Sequence, residues 1–202
     1  MSAVLGPIHH WMYRKIQLQE ELIRDILHTT RESNWGSEVD GAELTSYASS
    51  ETRPLEEIID LSNIHGWLSS QIDAPERRYA HLVTGLLKED PTRLEVLAGT
   101  AYQFGRKHPV NAGGTAQDAF RAINDLLLDG MPCDRAVQVT DNAEDHVTFL
   151  QTEDLHSPYW KEYGGDGDNY YYLRSRVIDG MLEHSGYALK KLGDGEFEIA
   201  KA

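Results

Sequence analysis

The sequence predicts an α+β fold: an irregular N-terminal bundle of about five helices, then a small C-terminal antiparallel sheet with one further helix. Three observations predict it. Up to Gly130 apolar residues recur at three- and four-residue spacing, and after Gly130 the spacing drops to two. Helical spacing then returns once, from Tyr170 to Ser185, before a last alternating pair. The implied division is a helical bundle over residues 1–130 and a hairpin–helix–hairpin part over 131–202, packed together as one unit.

Pro7 suits a first helical turn, and Ile8, Met12, Ile16, Gln19, Ile23 and Ile26 carry a first helix to about Leu27. Residues 31–53 read as a loop with one short helical piece around Ala42 to Ala48. Pro54, followed by Glu56 and Glu57, opens a second helix with the stripe Ile58, Leu61, His65, Leu68 and Ile72. Asp73 caps a third, with Pro75 and Glu76 in its first turn and Tyr79, Leu82, Val83, Leu86 and Leu87 facing inward. Asp90-Pro91 starts a fourth, through Leu94, Leu97, Ala98, Ala101, Tyr102 and Phe104, which ends near Lys107-His108-Pro109. Thr115 caps a fifth through Phe120, Ile123, Leu126 and Leu127. Val137 and Val139, then Val147 and Phe149, alternate as a hairpin of residues 136–140 and 146–152. Gly186 stops the Tyr170–Ser185 helix. Tyr187, Leu189, Phe197 and Ile199 flank Asp194-Gly195 as a second hairpin with a tight turn.

The 202 residues include 19 Lys+Arg against 33 Asp+Glu, a formal charge of −14. That balance repels phosphate backbones and anionic membranes, so neither nucleic acid nor a membrane surface is an expected partner. Cys133 is the only cysteine. It excludes an intramolecular disulfide framework and any multi-thiolate metal site, and on its own it reads as a small buried apolar group. Met1 to Pro7 lacks the pattern of a secretory leader, and no run approaches ~18 apolar residues. A reducing cytoplasm is the expected location.

Nine histidines raise a metal hypothesis. His65 occupies a core-facing slot between Leu61 and Leu68, and a mononuclear site would join it to His9 or His10 and to Glu20 or Glu76. A ferritin-like di-iron site needs two Glu-x-x-His copies, and the chain has one, Glu153-Asp154-Leu155-His156, in a loop. The densest unusual feature is aromatic: Tyr159, Trp160, Tyr163, Tyr170, Tyr171 and Tyr172 surround a Gly-Asp loop. Between Asp141 and Asn169 lie eight acids and one lysine, half the net charge.

The reading favoured by these features is a small-ligand-binding or sensing domain without evident catalytic machinery, its site formed by His65, Trp67, Tyr159, Trp160 and Tyr163 between bundle and sheet. The alternative is a metal-binding protein or metal-dependent enzyme with a single divalent ion on His65, His9, His10, Glu20 and Glu76. Trp11, beside the Ile8–Met12–Ile16 stripe, widens the apolar face of the first helix and suggests a homodimer. In layout alone, the last 70 or so residues resemble the 4-vinyl-reductase-type small-molecule-binding domains. The cysteines common near the end of such domains are replaced here by Gly195-Glu196-Phe197-Glu198-Ile199.

Overall fold

A computed structural model describes residues 5–202; the part of the leader reading that falls on residues 1–4 lies outside it. The α+β expectation holds, with seven helices and two antiparallel sheets among the described residues. Helix α1 (Pro7–Glu32) starts with proline in its first turn and runs past Leu27, because Thr30 is buried and bonds back to the Ile26 carbonyl. The short helical piece expected around 42–48 is a 3-10 helix at Leu44–Tyr47, and before it the chain makes a hairpin of two-residue strands that the sequence reading left as loop, β1 (Glu38–Val39) with β2 (Ala42–Glu43).

The second and third helices were expected with a boundary at Asp73, and the structure moves it. Pro54 does open a helix, but α2 (Leu55–Ile58) is one turn long. Asp60 then accepts hydrogen bonds from the amide and hydroxyl of Ser62, at 2.8 and 2.6 Å, and Asn63 caps a new helix through the Gly66 amide. These short polar side chains offer the backbone local partners that compete with helix. The restart changes the phase. Ile64, not His65, faces the core; His65 is exposed and Leu61 is 53% exposed. Helix α3 (Ile64–Glu89) then continues unbroken through Pro75. Proline costs the Gln71 carbonyl its helical partner. The buried stripe Ile64, Leu68, Ile72, Pro75, Glu76, Tyr79, Val83 and Leu86 nevertheless lies on one face on both sides of it, so tertiary packing holds the two halves in register.

Helices α4 (Arg93–Lys107) and α5 (Ala116–Leu126) follow as expected, the second closed by a reciprocal capping box between Thr115 and Asp118. Strands β3 (Val137–Asn142) and β4 (His146–Gln151) form the first hairpin. After it comes a short helix that the sequence reading left as loop, α6 (Ser157–Glu162), then α7 (Gly167–Leu182), and then the hairpin of β5 (Tyr187–Gly193) and β6 (Glu196–Lys201). The sheet order is β3-β4-β6-β5, so β6 lies between β4 and β5. Phe149 on β4 pairs across the sheet with Phe197 on β6 and packs on Phe120 of α5, at 5.6 and 5.2 Å between ring centres. The main core draws on every helix from α1 to α7 except α2, and on the sheet. No helix among the described residues is long and apolar enough to cross a membrane.

The most extensive helix–helix packing is that of α4 on α7, and its cause is two glycines. A Cβ placed on Gly105 would run into the Val177 carbonyl oxygen, and one on Gly180 into the Tyr102 carbonyl oxygen. The two backbones therefore touch directly. Replacing glycine by alanine in a helix ordinarily stabilises by up to about 1 kcal/mol. Here the sign should reverse. Gly105→Ala and Gly180→Ala are each expected to lower the unfolding free energy by about 2–3 kcal/mol, because backbone must move to admit the methyl group. Gly99→Ala, on the open face of the same α4, should raise it by about 0.5–1 kcal/mol. Urea unfolding of the three variants measures this; equal midpoints would show that the close crossing does not exist.

Candidate functional site

Four charges of alternating sign run through the interior. His156, just before α6, directs Nδ1 to Glu76 Oε2 of α3 at 3.1 Å and Nε2 to Asp129 Oδ1 at 3.4 Å. Asp129, in the loop after α5, meets Arg174 of α7 at 2.9 Å. All four side chains are buried; Glu76 is 1% and His156 2% exposed. Both partners of the imidazole are carboxylates, which only accept, so both ring nitrogens donate and the ring is the imidazolium. Burial opposes that charge. The Glu76 carboxylate and the hydrogen bonds to Asp129 and Glu76 outweigh it, and the pKa is raised to about 9. Burial alone would likewise raise Asp129, but Arg174 first and His156 second hold it well below the ordinary carboxylate range. Tyr170 stacks on the imidazole at 3.8 Å. Nearby, Lys15 of α1 is buried over the Trp11 ring, and burial lowers its pKa to about 8 against the opposing charges of Asp129 and Asp125.

Local chemistry aims these groups. Asp154 accepts from the amides of His156 and Ser157, at 3.2 and 3.0 Å, and from the Tyr171 hydroxyl at 2.6 Å, which fixes the chain just where His156 leaves it. Gly130 sits at φ +66°, and a side chain there would strike Leu155 and Asp134, so the turn carrying Asp129 requires glycine.

Beside the charge chain is a cavity of about 110 Å³. Its walls are Ser69, Ile72, Asp73 and Glu76 of α3; Leu128, Gly130, Met131 and Asp134 of the loop after α5; and Leu155, His156 and Tyr159. The second Glu76 oxygen, Oε1, is fully buried and has no hydrogen-bond partner among the described residues. Tyr159 donates its hydroxyl to Asp73 Oδ1 at 2.5 Å; burial, followed by that carboxylate, raises its pKa. The imidazolium has no free lone pair, so it is neither a general base nor a metal ligand in this state. What the carboxylate and phenol oxygens of the walls offer is hydrogen-bond acceptance, and the Ser69 hydroxyl can donate or accept.

Of the five residues expected to share a ligand site, the structure brings only Tyr159 to this cavity. His65 faces outward, Trp67 packs near Tyr13, Trp160 is fully buried against Tyr79, and Tyr163 stacks on His81. The metal set is dispersed as well. His9 accepts the Gly6 amide, His10 pairs with Glu56, Glu20 is held by Arg78 and the Ser49 amide, and Glu76 is held by His156. Among the described residues no group of three or more His, Cys, Asp or Glu could hold an ion. Cys133 is exposed rather than buried, because it lies in a surface 3-10 turn. The Trp11 ring is committed within the chain, its N–H on Asp125 at 2.8 Å and Lys15 over its face, which leaves Ile8, 47% exposed, as the open apolar part of that helix.

Asp129 and Arg174 are not among the expected site residues. Their signal was present for one of them: Arg174 falls in phase with Tyr170, Val177 and Met181 on an apolar stripe, as Glu76 does with Ile72, Tyr79 and Val83. Asp129→Ala, which leaves His156 and Arg174 unpaired, is expected to cost about 3–5 kcal/mol in denaturant unfolding. His156 has a folded pKa above its unfolded value, so its contribution is complete below about pH 6.5 and fades as pH rises through about 9. Stability should fall by about 1.5 kcal/mol between pH 6.5 and 8. Lys15, whose pKa is lowered, acts with the opposite sign, chiefly above pH 8. A flat stability profile over that interval would remove the charged His156. The chain matches no protein-family model, no curated protein and no solved structure, and the site is read from its own chemistry.

Proposed function

We propose that the chain is a cytoplasmic small-ligand-binding or sensing domain whose site is the cavity between α3, the 128–134 loop and Tyr159. One observation carries the reading: Glu76 lines the cavity, and one oxygen of its buried carboxylate, Oε1, has no donor among the described residues. Leaving such a group unpaired costs about 1–3 kcal/mol or more, a cost that a bound donor relieves. The relative dryness of the walls supports it too, since Ile72, Leu128, Met131 and Leu155 supply apolar surface around the few polar groups.

The cavity is small, about 110 Å³, and opens to solvent, so it suits a compact solute or the head group of a larger one. The test is a ligand-observed NMR and thermal-shift screen of solutes with up to six heavy atoms against the whole chain. A Ser69→Leu variant, which fills the cavity from α3, serves as the comparison. Saturable binding to the natural chain that Ser69→Leu abolishes is the expected result. If no solute binds, or if every binder is indifferent to Ser69→Leu, the reading is overturned.

A further inference from the structure

We infer that the ligand of this cavity is a small primary alkylammonium ion, an inference that rests on the cavity being the binding site. Three features of the walls point there. The first is hydrogen-bond polarity. Asp73 and Glu76 each have one oxygen engaged, Asp73 Oδ1 by the Tyr159 hydroxyl and Glu76 Oε2 by the His156 imidazolium. Each keeps one oxygen without a hydrogen bond among the described residues. Three apart on one helix, the two side chains sit on the same face, roughly 5–6 Å from one another at Cβ. Tyr159 directs its hydroxyl hydrogen to Asp73, so toward the cavity its oxygen can only accept. Acceptor groups gathered along one side of the cavity suit a head with several N–H donors.

The second feature is charge. Glu76, His156, Asp129 and Arg174 neutralise one another pairwise. Asp73 and Asp134 remain on the wall; of the further cations around it, Arg77 beside the Tyr159 ring is paired with Glu162, and Lys15 is offset by Asp129 and Asp125. The cavity therefore carries surplus negative charge, and an anion entering it would meet repulsion in a partly desolvated place. The third feature is the opposite wall. Ile72, Leu128, Met131 and Leu155 form an apolar surface that an alkyl tail would cover. An ammonium head with a two- or three-carbon tail fits both walls and the volume.

Isothermal titration of the whole chain with four probes of similar size separates the parts of this inference. Propylammonium should bind at least tenfold more tightly than propan-1-ol, propionate and tetramethylammonium. Equal binding of propan-1-ol would overturn the charge argument. Equal binding of tetramethylammonium, which has no N–H, would show only general attraction of cations to an acidic chain. Tighter binding of propionate would reverse the polarity outright. With propan-1-ol or propionate the cavity remains a binding site if Ser69→Leu abolishes the binding; cation binding that Ser69→Leu leaves unchanged overturns the site as well. If none of the four binds while other small solutes do so and lose binding in Ser69→Leu, the inference fails alone; if no solute binds at all, the underlying reading fails with it. Asp73→Asn keeps an acceptor for Tyr159 and removes one charge, and it should weaken propylammonium at least fivefold without lowering the unfolding midpoint. Unchanged affinity in Asp73→Asn overturns the inference even if Glu76→Gln proves unfolded.

Discussion

The row of charges from Glu76 through His156 and Asp129 to Arg174 is the constraint on which much else depends. Taking four ions out of water is tolerable only if every one faces its opposite at hydrogen-bonding distance. The four come from α3, the approach to α6, the loop after α5 and α7, so those segments must meet at one place. Several local oddities follow from it. Helix α3 must persist through Pro75, because a break there would swing Glu76 away from His156. The loop after α5 must turn at Gly130 in a conformation that side chains avoid, because Asp129 has to face inward. The row also joins residues before and after position 130, so the bundle and the hairpin part share a charged centre as well as an apolar core.

Most of the fold was legible because it is written in apolar periodicity. The first, fourth, fifth and last long helices and both hairpins appear where the spacing puts them. The errors cluster where a side chain competes with the backbone or where packing overrides a local rule. Asp60, Ser62 and Asn63 reset the phase of a helix, which turned a supposed core histidine outward and placed Ile64 inward. Pro75 looks like a helix start because proline is common there; only the stripe running past it on both sides shows otherwise. Helix α6 is too short for periodicity to reveal.

The candidate site was half legible. Glu76 and Tyr159 are visible as residues of interest, though in two rival schemes, metal and ligand, rather than together. His156 sits in a Glu-x-x-His string that is rightly placed outside a helix, yet its importance comes from partners 80 and 27 residues earlier in the chain. No spacing rule reaches that far. A charged residue in phase with an apolar stripe was the usable clue, since such a group is either buried with a partner or misplaced.

The position of β6 has a consequence for how the polypeptide is made. Synthesis delivers β3, β4, α6, α7 and β5 before it delivers residues 196–201, but among the described residues β5 pairs with no strand except β6, and β4 meets β6 on the side away from β3. A nascent chain that stops short of Glu196 therefore exposes one unpaired β4 edge, with Val147 and Phe149 beside it, and a β5 strand with nothing to hold. Sheet closure waits for residues 196–201 in this topology, and the interval before they are delivered is when the sheet is most open to chaperones, proteases and pairing with another copy of itself.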